Sequence, residues 1–600
     1  MFGKISSLLI LSGLIFLTLF NCARKGAEDR KFKALVDEFL DAYFKANPVS
    51  ATYIGEHKYD SLLDDFSPEA IQSEQRQLRL FLEKMATIDT TKLNDTNRVD
   101  FKILDNETHS QLLQSEELKP WEKSPVMYNY VVGGSINSLI TRDFAPWDER
   151  LKNVLSRLKQ IPRLLEQAQV NLKEPSEIAT NTAIRQNKGA IELIKNELSK
   201  VLEEAPDLKD SLVAESQKVV SALEDYQKFL ENDLLPRSKG DFRLGKELFE
   251  KKLKYTLQSD LSSDEIVKRA EEEFIRVRKR MYEIALPLRA KYKGVDDQLE
   301  SVIYKAVLDK LKDHPEVHDM VESVIIKEVL DEIARDHPQK DELLAVCRQI
   351  MKELEDFVKE KDLVDLTGIN PLEVEWEPEF SRGVAIAGLD APGPLDKNQK
   401  SFYRVSPIPD DWTKEQVESY LKEYNNYMLR DLSIHEAMPG HYVQLFYANQ
   451  YPSLVSSIFG NGPFIEGWAV YSERMMVNAG YMNFDPRFEL QQLKMYLRAV
   501  INSILDAKIH VGNMTKEEAI KLMTEGGFQE MSEAEGKWVR ACLTSTQLST
   551  YFVGIQEILD LEKAYKEKVG EGFSQKEFNQ QLLSHGAPPV RFLREIILEK

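Results

Sequence analysis

The sequence predicts a mainly α-helical fold, and three observations carry that prediction. Apolar residues recur at three- and four-residue steps along most of the chain, helix start signals precede several of these runs, and Pro/Gly-rich alternating texture is confined to residues 370–411. The expectation is a large helical fold with a few short strands just before a histidine-bearing helix. Of the 600 residues, 42% are apolar, ample for a large buried core. The formal charge of −20 excludes nucleic-acid binding, which needs clustered Lys and Arg to displace counterions. It also gives no polybasic attraction to anionic lipid.

The N-terminus is expected to lie outside the fold. Lys4 precedes an apolar run from Ile5 to Phe20, short for a bilayer span and matching a secretory signal. It ends at Leu19-Phe20-Asn21-Cys22, a lipobox-like pattern that makes Cys22 the candidate lipid attachment residue. An ordinary signal peptide cut nearby, or an uncleaved anchor, is the alternative, and export follows from each. Residues 1–22 are thus a lipoprotein-type signal and residues 23–31 a tether, with the protein facing the periplasm or the cell exterior. The membrane would be met through the N-terminal lipid alone. Cys347 and Cys542 lie in apolar helical contexts and read as small buried hydrophobes.

Residues 32–369 are expected to form an N-terminal helical domain. Ser262 and Glu265 give a capping-box signature, and Ile266, Ala270, Phe274, Val277, Met281 and Ile284 make one apolar stripe that Pro287 is expected to close. Leu151, Val154, Leu155, Leu158 and Ile161 form a similar stripe, as do Leu343, Val346, Ile350 and Leu354. In residues 370–411, Val374 and Trp376 alternate with acidic residues, and Phe402 and Tyr403 mark a second short strand. This segment is either a strand edge for an extended substrate or a plain connection. Residues 412–600 are expected to form a C-terminal helical domain that carries the chemistry.

That chemistry begins at His435-Glu436-Ala-Met-Pro-Gly-His441, followed by Phe464-Ile465-Glu466-Gly467-Trp468. Two imidazoles, one carboxylate beside the first and one carboxylate downstream are the parts of a catalytic zinc site. The histidines are six apart, not the four that share a helix face. On an ideal helix the second side chain would point about 120° away from the first. Pro439 and Gly440 supply the remedy, a kink or bulge that returns His441 to the ion. Glu466 is the third ligand, on a second helix after the Gly460-Asn461-Gly462-Pro463 turn. Glu473, one heptad further, is placed to hold a histidine N–H. Glu436 is placed to take a proton from the water. His314 and His318 have the four-residue spacing but no apolar frame, and read as a solvated helix face.

Two helical pairs, Asp506 with His510 and Gln547 with Tyr551, are by themselves ordinary surface or core hydrogen-bonding neighbours. Arg540 is a weaker candidate still.

At these residues the chain resembles a bacterial family catalogued as domain of unknown function 885. The resemblance rests on His435 to His441, Glu466-Gly467-Trp468-Ala469, Arg498-Ala499 with Asp506 and His510, and Gln547, Tyr551 and Gly554. Pro48 to Gly55 and Gly240 to Gly245 also look like its landmarks. The family is grouped with two-histidine, one-glutamate zinc metallopeptidases and is similar to helical oligopeptidases and carboxypeptidases, which implies a channel or cleft walled by a helical domain. The resemblance implies one zinc ion, an oligopeptide substrate, oxyanion support from Tyr551 or His510, and Asp506 and Gln547 in the surrounding shell. The chain departs from the family at Tyr442, where many members carry a second His, and at Ser545-Thr546, where Pro-Gly is usual. The site therefore rests on His441. A metal-dependent hydrolase of non-peptide amides or esters, and a non-catalytic binding lipoprotein, are the competing readings.

Overall fold

A computed structural model describes residues 26–311, 313–377, 387–396 and 399–599. Cys22, the signal segment 1–22 and the start of the tether lie outside the described residues. The chain is mainly helical, with three short strands in one small sheet among the described residues. No described helix is long and apolar enough to cross a membrane.

The chain divides into two compact units, one of residues 1–240, 393–397 and 452–459, the other of residues 241–392, 398–451 and 460–600. The division after residue 240 lies inside the segment 32–369 assigned above to one domain.

The first unit is a helical assembly whose stripes bury as their periodicity predicts. Leu151, Val154 and Leu158 of helix Trp147–Leu158 and Ile161 of helix Ile161–Asn171 are fully buried. Arg157 is buried among them, and its guanidinium donates to the carbonyls of Leu62, Ser135 and Pro48 and to the Thr52 hydroxyl. A buried cation is tolerated because its donors are spent in this way. This ties the Pro48–Ile54 helix into the core.

In the second unit, helix α1 (Ser263–Lys293) starts where the Ser262 hydroxyl accepts from the Glu265 amide, 3.2 Å away. The expected stop at Pro287 is not observed. The helix continues to Lys293, burying Leu286, Leu288 and Ala290 beyond the stripe. Burial of that extra turn outweighs the one backbone bond a proline removes. Helix α2 (Leu343–Glu360) buries Leu343, Cys347, Ile350 and Leu354. Cys347 and Cys542 are free and buried, and burial raises both thiols to about 12.

Strands β1 (Glu373–Trp376), β2 (Ala387–Asp390) and β3 (Phe402–Val405) form a sheet in the order β1-β3-β2. β1 runs parallel and β2 antiparallel to β3, so Val374 and Leu389 both face Tyr403 in register. Tyr403 is fully buried, and its phenol lies 3.0 Å from the Ser433 hydroxyl, two residues before His435. Through this contact the small sheet braces the histidine motif.

Candidate metal centre

The histidine motif is built across a break between two helices. Helix α3 (Asn426–Glu436) opens with the Asn425 side chain accepting from the Tyr427 and Met428 amides. It ends at Glu436, and helix α4 (His441–Gln450) begins at the second histidine. The expected kink or bulge within one helix is therefore a complete interruption, with a cis Met438–Pro439 peptide bond in the connection. The Ala437 and Met438 amides both donate to the Ser433 carbonyl, and the Gly440 amide donates to that of Ile434. These bonds fold the connection back over the end of α3. A Cβ on residue 440 would overlap the carbonyl oxygen of His435, so this position requires glycine.

Helix α5 (Gly462–Asn478) starts where the Asn461 side chain accepts from the Phe464 amide. Its Trp468 indole donates to the carbonyls of Pro439 and Gly440, at 3.0 and 3.2 Å. The Glu-Gly-Trp motif thus joins a ligand candidate to a clamp on the very turn that presents His441. Gly467 has a packing role. A Cβ there would overlap the backbone of Gly554 on helix α8 (Thr550–Val569), and one on Gly554 would overlap the Pro463 carbonyl. The two helices cross backbone to backbone, directly beside Glu466 in sequence and one turn from Tyr551.

His435, His441 and Glu466 converge, with one donor atom of each lying within 4.8 Å of the others. Nε2 of His435 and Nε2 of His441 sit 3.7 and 3.5 Å from Oε2 of Glu466. The two rings are 4.9 Å apart at 88°. Donors about 2.0–2.2 Å from a tetrahedral ion stand roughly 3.3–3.6 Å from one another, so the donor set and its spacing fit a zinc-like ion. No other such group occurs among the described residues; His314 is exposed and His318 pairs with Glu322 on its own helix.

Glu466 lies within ion-pair reach of both imidazoles. Burial disfavours the His435 cation, but Glu466 and Glu473 outweigh it and raise its pKa well above the ordinary value. Burial would raise the Glu466 carboxyl, but the two imidazoles overcome it and hold it well below the usual range.

Behind the triad, Oε1 of Glu473 lies 2.7 Å from Nδ1 of His435, the expected arrangement. The Gln492 amide, on helix α6 (Pro486–His510), donates to its other oxygen at 3.3 Å. Asp431, missed in the sequence, is fully buried one turn before His435, with neither oxygen hydrogen-bonded among the described residues. Burial first, and the nearby Glu473 charge second, raise its pKa well above the carboxylate range. Its position four residues before the first histidine was the available signal. Glu436 is half-buried at the end of α3, with no hydrogen-bond partner among the described residues.

The remaining candidates separate. Tyr551 is half-buried, and burial and then the Glu466 charge raise its pKa. The Arg540 guanidinium, on helix α7 (Met531–Leu543), donates to the Tyr551 phenol oxygen at 3.0 Å and to the Gln547 amide oxygen at 2.9 Å. Gln547 and the underrated Arg540 therefore belong with Tyr551. His510 does not join them. Its Nε2 lies 2.9 and 2.8 Å from the Ala541 and Thr544 carbonyls, and its ring stacks on Phe249. A nitrogen so occupied ties down the end of α7 and is not aimed at an oxyanion. Asp506 likewise accepts from the Thr546 and Ser549 amides and the Ser549 hydroxyl. It holds the turn before α8 and orients no triad imidazole.

The family described as "Bacterial protein of unknown function (DUF885)" matches residues 48–597. A solved "putative lipoprotein of unknown function" from Shewanella oneidensis is 34% identical, with a TM-score of 0.80 over 94% of this chain and 99% of that one. A second "putative lipoprotein", from Colwellia psychrerythraea, is 20% identical and shares the fold, with a TM-score of 0.74 over 95% and 99% of the two chains. No curated protein matches.

Proposed function

The chain belongs to the bacterial family DUF885, and on that premise we propose that it is a zinc-dependent metallopeptidase acting on oligopeptides. The observation that carries the reading is the meeting of His435, His441 and Glu466 beside a carboxylate, Glu436, that has no hydrogen-bond partner among the described residues. His435, His441 and Glu466 would hold the ion. A bound zinc would supply Lewis acidity and lower the pKa of water to about 7.

The chain's own groups do the rest. Glu473 fixes the His435 ring by accepting at Nδ1, leaving Nε2 to face the site. Glu436 takes the proton of the attacking water and returns it to the leaving amine. Tyr551 accepts from Arg540, so its own O–H is left to donate to the carbonyl oxygen as negative charge develops there. Burial and the Glu466 carboxylate keep that phenol protonated.

Metal analysis of the purified protein, with peptide-library cleavage by wild type and Glu436→Gln, tests this. The expected result is one equivalent of bound metal and a ~10²–10⁴-fold loss of cleavage in the variant. Equal cleavage by the two proteins would sink the mechanism. Hydrolysis of esters or simple amides with no peptide cleavage would reassign the substrate.

We further infer an exported lipoprotein anchored at Cys22, supported by the lipobox-like sequence and by the names of the two structural neighbours. Cys22→Ala is expected to move the protein from the membrane to the soluble fraction. Unchanged membrane association in that variant would refute the anchor.

A further inference from the structure

In a chain of net charge −20, two cations on α7 form no ion pair with a carboxylate among the described residues. Lys537 and Arg540 stand three residues apart on α7, on one face of that helix. Among the described residues Lys537 forms no ion pair or hydrogen bond, and Arg540 forms no ion pair. The other cation nearby is already neutralised: Arg498 is 2.8 Å from Glu533 and 3.8 Å from Glu423.

Arg540 is exposed, and its bonds to Tyr551 and Gln547 use one nitrogen, Nη2. The hydrogens on its Nε and Nη1 are left for an anion, each as a separate charge-assisted donor. Its bond to Tyr551 places those donors beside the residue assigned above to the reacting carbonyl. Tyr551 lies one turn before Gly554, whose backbone meets that of Gly467, the residue after Glu466, and its bond to Arg540 brings this end of α7 to the same neighbourhood.

We propose that Lys537 and Arg540 form a carboxylate-binding subsite beside the triad, and that the preferred substrate is a peptide with a carboxylate close to the bond cleaved. The proposal rests on the metallopeptidase reading and names its substrate class. The carboxylate has two sources, the peptide's own C-terminus or an acidic side chain.

Two features support it. An ammonium and a guanidinium three residues apart on a helix face repel each other, and a bound carboxylate offsets that repulsion. Burial first, then Arg540 and Arg498, push the Lys537 ammonium down to about 7 against the smaller opposing pull of Glu533 and Glu466, and an arriving anion favours its charged form.

The test is a binding experiment, independent of turnover. Glu436→Gln protein is titrated calorimetrically with N-acetyl-trialanine, with its C-terminal amide, and with the same amide ending in glutamate. The acid is expected to bind roughly 10- to 100-fold tighter than the neutral amide, as a charge-assisted hydrogen bond provides. Arg540→Met is expected to bring the acid and the amide within about threefold. Lys537→Met is a second, independent variant with the same expectation, and a thermal melt of each verifies folding. Tight binding of the glutamate-ending amide assigns the carboxylate to a side chain; weak binding assigns it to the C-terminus.

Equal binding of all three ligands, no binding of any, or a preference that survives both substitutions would overturn the subsite. Wild-type peptide cleavage dependent on Glu436 would then still stand. Conversely, a carboxylate preference without any cleavage would remove the peptidase reading and leave the subsite.

Discussion

At the scale of single residues, the candidate site is a chain of fixed orientations. Glu473 stands behind His435, and its bond to Nδ1 leaves Nε2 as the nitrogen that faces Glu466. Glu473→Gln is expected to weaken metal affinity 10- to 100-fold while leaving the helices intact. Metal titration against a competing chelator measures this, and unchanged affinity would show that the ring is oriented without the charge. His435, His441, Glu436, Glu466 and Glu473 were all legible in the sequence, because each sits at a fixed step from the next on a short stretch of chain. Asp431 and Lys537 were not. Burial shifts both, and neighbouring charges add to it, Glu473 in one case and two guanidinia in the other.

At the scale of elements, the site depends on two close approaches. One is the folding of the Ala437–Gly440 connection over the end of α3. The other is the crossing of α5 and α8 at Gly467 and Gly554. Gly554→Ala should push these helices apart and cost about 1–3 kcal/mol, as overpacking does. A lowered thermal midpoint together with reduced cleavage is the expected outcome, since Tyr551 rides on α8 one turn away. A variant with wild-type stability would mean that the crossing relaxes freely. The sequence announced a backbone irregularity at Pro439-Gly440 but not its form. A bulge and a full break carry the same Pro-Gly signature, and Trp468, reaching across from α5, holds the broken form. Pro287 shows the reverse case, a stop signal overridden by burial of the turn beyond it.

At the scale of the whole molecule, buried charge couples stability to pH. Asp64, in the first unit, is buried, and burial raises its carboxyl from 3.8 to about 6, against a partial offset from the Val49 amide. Because the folded value lies above the unfolded one, this group's contribution is fully present below about pH 4. It is lost as pH rises through about 6. Asp64→Asn carries no such charge, so its thermal midpoint is expected to gain on wild type between pH 5 and pH 8. Roughly two pKa units set an upper limit of ~3 kcal/mol for the gain. Parallel midpoints across that range would show that Asp64 is not the burdened group.

The sequence by itself determined the helical class, the place of the small sheet and the ligand candidates, since periodicity and motif spacing are local properties of the chain. Only the tertiary structure decided which distant groups share that neighbourhood. Tyr551, Gln547 and Arg540 gather into one hydrogen-bonded group, while His510 and Asp506 turn away to satisfy backbone groups at the helix ends. The physical reason is that a buried side chain's role depends on the donors, acceptors and charges brought to it from remote segments, and helix packing alone selects those.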